Sequence, residues 1–165
     1  MTARPARPDP AAAALRAIAE STDPAQLRRF MENARRMGAE PVRAAAFERL
    51  VSILPGEAPD PVSRDFWRMI HAFEELLSEE RGRTTRLSRT RQKVQRVGVA
   101  KTLEDFALTR EATDGFRMLM DRGLPHLTGE AVILRHPDAF HETVVQAAAA
   151  RLRAEGVDVD ALSRA

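Results

Sequence analysis

The sequence predicts an all-α protein: a small helical bundle with a long central helix and a C-terminal cluster of short helices. Three observations carry that reading. Aspartate stands directly before proline at Asp9-Pro10, Asp23-Pro24 and Asp60-Pro61. An aspartate there accepts from the free N–H groups of a helix start, and a proline at the first helical position loses no hydrogen bond. Apolar residues then recur at helical spacing, and no segment shows the alternation of a half-buried strand. Val132-Ile133-Leu134 is compatible with a strand but short, and it follows a helix cap at Thr128.

The elements follow in order. Helices are expected over 10–20, 23–37, 41–54 and 61–80. In the second, Leu27, Phe30, Met31, Ala34 and Met37 share a face, and Gly38 ends it. The third carries Val42, Ala46, Leu50 and Leu54 beside Phe47 and Val51, and stops at Pro55-Gly56. The fourth has the clearest stripe: Val62, Phe66, Met69, Ile70, Phe73, Leu76 and Leu77. Gly82 either breaks this helix or lies within one that runs on to Val97, since one internal glycine costs only about 1 kcal/mol relative to alanine. Short helices are expected from Thr102 to Leu108, from Thr113 or Asp114 to Gly123, and from Thr128 to Leu134. A longer one runs from Asp138 or His141 to Glu155, where Gly156 stops it. The resulting division is a disordered tail over 1–9, a helical bundle over 10–80 and a basic helical segment over 81–101. Short helices over 102–156 and a flexible tail over 157–165 complete it.

Composition narrows the function classes. There is no cysteine, which excludes a disulfide scaffold, a thiolate nucleophile and a cysteine-held zinc, and fits a reducing cytoplasm. No apolar run reaches the roughly 20 residues of a spanning helix, so no membrane partner is expected. Arg4 and Arg7 are not followed by the apolar core of a signal peptide, and the prolines nearby make a poor amphipathic transit helix. Arginine outnumbers lysine 24 to 2, a pattern that a GC-rich, bacterial type of genome produces without selection on function.

The distribution of charge is more informative than its net value of +2. Residues 81–101 hold eight basic side chains and no acidic one, whereas the two signs are closely mixed elsewhere. On a helix over 84–97, Arg86, Arg89, Lys93 and Arg96 form one ridge, which Arg83 joins if the helix starts early. Thr84, Thr85, Ser88, Thr90 and Gln92 supply neutral donors between the charges. That mixture suits a phosphate backbone. The sequence therefore points to a nucleic-acid-binding accessory or regulatory protein, with DNA preferred over RNA because no aromatic stacking platform is evident. The residues expected to make contact are Arg83, Arg86, Arg89, Arg91, Gln92, Lys93, Arg96 and Lys101. The rival reading starts from Glu74, Glu75, Glu79 and Glu80, just before the basic run. Pairing of acidic with basic stretches over 61–97 would make this a scaffold that forms a homodimer or holds an acidic protein partner.

Other motifs are weaker. Leu103–Leu108 and Gly115–Met120 have the lengths of a helix-turn-helix, with Ala107 at the close-packing position. Their turn lacks a glycine at Glu111, however, and the second helix sets Arg117 and Arg122 against Asp114 and Asp121. His136, Asp138 and His141 match no zinc spacing, and a cap role for His141 is the better expectation. His71 lies three and four residues before Glu74 and Glu75 and reads as a core-edge histidine before a general base. Phe116, Met118 and Met120 read as core rather than as a soft docking face. No catalytic motif, cofactor loop or metal set emerges, and no enzyme is expected.

Overall fold

The computed structural model describes residues 9–164, which contain ten α-helices and no strand. The fold is all-α, as the sequence predicts. The expected N-terminal tail falls outside the described residues except for Asp9. The chain divides into two compact units, residues 1–56 and 57–165.

The first unit is a three-helix assembly of α1 (Pro10–Glu20), α2 (Pro24–Met37) and α3 (Glu40–Ile53). Asp9 and Asp23 accept from Ala11 N and Ala25 N at 3.0 and 2.9 Å, so both caps form at the Asp-Pro steps. The core is made by Ile18 of α1, Leu27 and Ala34 of α2, and Val42, Ala46 and Leu50 of α3. The turn between α1 and α2 is pinned to α3 by Arg49, whose Nε donates to Ser21 O at 2.9 Å. Leu27 is fully buried. Leu27→Ala is expected to cost about 2–5 kcal/mol, read as a lowered urea midpoint, because the helices around the void relax only in part.

The second unit holds α4 (Pro61–Arg81), α5 (Ser88–Val97), α6 (Val99–Leu108), α7 (Asp114–Asp121), α8 (Gly129–Arg135), α9 (Glu142–Ala154) and α10 (Val159–Arg164). Single 3-10 turns lie at Pro125–Leu127 and Pro137–Ala139. Every residue from Gly129 to Leu134 is buried. α8 is thus the apolar pivot of the unit, packed by α4, α6, α9 and α10.

Four boundaries differ from the sequence reading. The expected bundle over 10–80 included the fourth helix. The structural division falls before it, because α4 packs on α6, α7 and α8, which follow it in the chain. The helix expected over 84–97 starts only at Ser88. Gly82 adopts a left-handed φ of 64°, and Arg83 N donates back to Ser78 O, a closure that ends α4. α6 starts at Val99 and not at Thr102, because Gly98 turns the chain with φ 85° and ψ 170°, a conformation available essentially to glycine. Thr102 is fully buried, its hydroxyl donating to Gly98 O at 2.8 Å. Finally, the expected flexible tail over 157–165 contains α10. Its Val159 and Leu162 are buried, and the helix packs on α8 and α9.

Candidate nucleic-acid interface

The basic segment is built around one carboxylate that lies outside it. Ser78, near the end of α4, accepts from Thr85 N at 2.8 Å through its hydroxyl and so folds residues 82–87 back along the helix. One turn earlier, Glu74 Oε1 accepts from Leu87 N at 2.8 Å, which places the start of α5. The same carboxylate holds Arg91 in a fork, with Nε to Oε1 at 2.8 Å and Nη2 to Oε2 at 2.6 Å. Arg91 also stands over the Trp67 ring, 5.1 Å from its centroid. Trp67, Glu74 and His71 are brought together because they lie at i, i+7 and i+4 on α4.

Burial raises the Glu74 carboxyl, but the fork from Arg91 and the Leu87 amide outweigh it, so Glu74 titrates below the usual carboxylate range. His71 is pushed down, chiefly by burial; Glu74 pulls it up, while Arg91 and Arg86 press it down. Asp65 has a similar setting. Burial raises it, and His136 Nε2 at 2.8 Å and Arg135 Nε at 3.0 Å bring it below its ordinary value. A carboxyl lowered by folding contributes stability that is present above its unfolded value and is lost as pH falls through its folded value. Stability is therefore expected to drop below about pH 4, with a shallower drop in Glu74→Gln, measured as urea midpoint against pH.

The eight predicted contact residues divide into two groups. Arg91, Lys93 and Lys101 are engaged internally. Lys93 Nζ lies 2.7 Å from Asp105 and 5.7 Å from the Phe106 ring centroid, and Lys101 Nζ lies 2.9 Å from Asp105 and 3.7 Å from Glu104. Asp105 is lowered by hydrogen bonds from Lys93 and then Lys101, and Lys101 is raised by its bond to Asp105. Arg83, Arg86, Arg89, Gln92 and Arg96 are exposed. Among the described residues, Arg83, Arg86, Arg89 and Arg96 have no carboxylate at ion-pair distance. The ridge expected on one helix is thus corrected in two ways. Arg86 belongs to the turn before α5, and Lys93 is neutralised by α6. Arg89, Gln92 and Arg96 remain at i, i+3 and i+7 on the outer face of α5. An open groove beside them is lined by Trp67, Arg86, Ser88, Arg91, Gln92 and Gln95.

The acidic stretch meets the basic one within a single chain at Glu74 and Arg91. The two helices read as a helix-turn-helix are α6 and α7, joined by residues 109–113, and Arg117 of α7 lies 3.8 Å from Glu111. His136 and His141 are directed to different partners. His136 binds Asp65, while His141 caps α9, its Nδ1 accepting from Thr143 N at 3.3 Å. Among the described residues, no three histidine or acidic side chains are grouped to hold a metal, and no helix is long and apolar enough to cross a membrane. Trp67 and Glu74 are the parts of this site that the sequence reading did not assign to it. Their signal was the helical spacing of Trp67, His71 and Glu74.

No family model, no curated protein and no solved structure matches this chain. Its class rests on fold and surface alone: an all-α protein whose second unit presents a turn and a short helix bearing unpaired guanidinium groups.

Proposed function

We propose that this protein binds nucleic acid, duplex DNA in preference to RNA, through residues 82–87 and the outer face of α5, as a cytoplasmic accessory or regulatory protein. The observation that carries the reading is the division of the basic segment. Three of its eight cations are neutralised by Glu74, Glu104 and Asp105, and Arg81 belongs to the last turn of α4, while Arg83, Arg86, Arg89 and Arg96 stay exposed with no carboxylate partner among the described residues. Unpaired arginines held on an ordered turn and helix match phosphate oxygens without first breaking an internal ion pair. Gln92, Gln95 and Ser88 add neutral donors for sugar and phosphate. Arg91 already occupies the Trp67 face, which favours backbone contact over base stacking there.

The test is fluorescence anisotropy of a labelled duplex across a salt series. Four phosphate contacts give a slope of log K against log salt of about −3.6, whereas all eight basic side chains of the segment would give about −7. Absence of binding at low salt, or affinity that ignores salt, would overturn the reading.

A further inference from the structure

The second unit contains a partly enclosed cavity of about 160 Å³ between α4, α6, α7 and α8, with α5 at its edge. The apolar and aromatic part of its wall is formed by Met69, Ile70, Phe73, Phe106, Phe116 and Leu119. A closed cavity of about 150 Å³ with a comparable lining stays dry and takes up benzene. Two glycines keep the walls close together. A Cβ at Gly115 would stand 3.0 Å from the Phe73 ring, and one at Gly129 would stand 3.3 Å from Met69 Sδ.

Four lining residues are polar: Thr90 and Thr113 are half-buried, Asp114 is exposed, and Glu130 is the one that is buried. Glu130 is 2% exposed, lines the cavity, and is bonded through Oε1 to Arg151 Nη1 at 2.7 Å. A carboxylate offers about four acceptor positions, so the bonds from Arg151 and from the Glu130 backbone amide leave acceptor capacity. Arg151 already balances the charge of Glu130. At Glu130 a cationic guest would therefore add a charge to a pair that is already balanced, and a neutral donor would not. An anionic guest would face Glu130 directly.

We infer that this cavity is a binding site for a compact neutral aromatic molecule of roughly six to ten heavy atoms that carries one hydrogen-bond donor, with the ring between Phe73, Phe106 and Phe116 and the donor directed to Glu130. The cavity also shares a wall with the basic segment. Leu87 and Thr90 line it, and Leu87 N is the donor to Glu74 that places α5. Occupancy is thus reported at the turn that carries the exposed arginines. Ligand binding does not depend on the nucleic-acid reading, and it is measured without nucleic acid.

The experiment uses the full chain labelled with nitrogen-15, titrated with phenol and, separately, with toluene, which has the same size but no donor. Phenol is expected to shift the amides of Leu87, Gly115 and Gly129 in a saturable way and to bind at least tenfold more tightly than toluene. Thr90→Phe, which places a ring at the cavity edge, is expected to weaken phenol at least tenfold while the rest of the spectrum is kept. Glu130→Gln is expected to bring phenol close to toluene. The inference is overturned if phenol leaves those three amides unmoved up to its solubility limit. Equal binding of the two probes by the unmodified protein also overturns it, and that comparison requires no variant to fold.

Discussion

Arg151→Ala is expected to lower the unfolding free energy by about 3–5 kcal/mol, the largest effect foreseen for a single substitution in the second unit. Arg151 lies on α9 and joins three segments. Its Nη1 donates to Glu130 Oε1 and to Phe106 O, both at 2.7 Å, and its Nη2 donates to Thr109 O. The truncation leaves Glu130 charged and unpaired at 2% exposure, and it removes the donor from two carbonyls at the end of α6. Burial already pushes the Glu130 carboxyl up despite the hydrogen bond from Arg151. Without that partner it moves further up. A group whose folded value is raised favours the folded state below its unfolded value and ceases to do so as pH rises through the folded one. The deficit of the variant is therefore expected to shrink as pH is lowered and Glu130 becomes neutral. Urea denaturation at several pH values measures both effects. Arg153→Ala, in the same last turn but exposed, is the control and should stay within about 0.5 kcal/mol of the parent. A loss in Arg151→Ala no larger than that of the control would show that Glu130 is not an isolated buried charge.

Replacement of Arg86, Arg89 and Arg96 together by glutamate is expected to abolish duplex binding at any salt concentration where the unmodified protein binds. The three guanidinium groups make no ion pair among the described residues, so stability should change little and the loss is read as binding. Neutralising one of them, as in Arg89→Ala, should reduce the salt slope by about 1. Lys93→Ala separates structure from function. Lys93 is held by Asp105, so its removal is expected to leave the salt slope nearly unchanged while loosening the contact between α5 and α6. If Lys93→Ala flattened the slope as much as Arg89→Ala, the assignment of paired and unpaired cations would be wrong. Persistence of binding in the triple reversal would remove the proposed interface altogether.

The residues that were legible in the sequence are those whose role is local. Asp9, Asp23 and Asp60 accept from Ala11, Ala25 and Ser63 amides because a cap needs only its own first turn. Thr113, Thr128 and His141 cap α7, α8 and α9 for the same reason. The apolar face of α2 placed Leu27 and Ala34 in a core because 3.6 residues per turn bring them to one side. Gly82 illustrates the margin of such reasoning. A glycine inside a helix and a glycine ending one have the same sequence, and the decision went to the left-handed turn because Ser78 and Glu74 supply partners for Arg83, Thr85 and Leu87.

What escaped the sequence depended on partners far along the chain. Residues 81–101 hold no carboxylate, yet Glu74, Glu104 and Asp105 reach into the segment from either side and neutralise three of its cations. The segment over 157–165, expected as a flexible tail, contains α10, because burial of Val159 and Leu162 against α8 and α9 supplies the stability that a helix this short lacks alone. The sequence by itself determined that this protein is all-α, where most helices start, and that one segment is strongly basic, because propensity, capping and charge count are properties of neighbours in the chain. The tertiary structure alone decided which arginines are left unpaired, that Glu130 is buried against Arg151, and that a cavity lies beside them. Pairing and burial are set by distances in space, and residues as far apart in the chain as Glu74 and Arg91, or Phe106 and Arg151, come within hydrogen-bonding reach only when the helices pack.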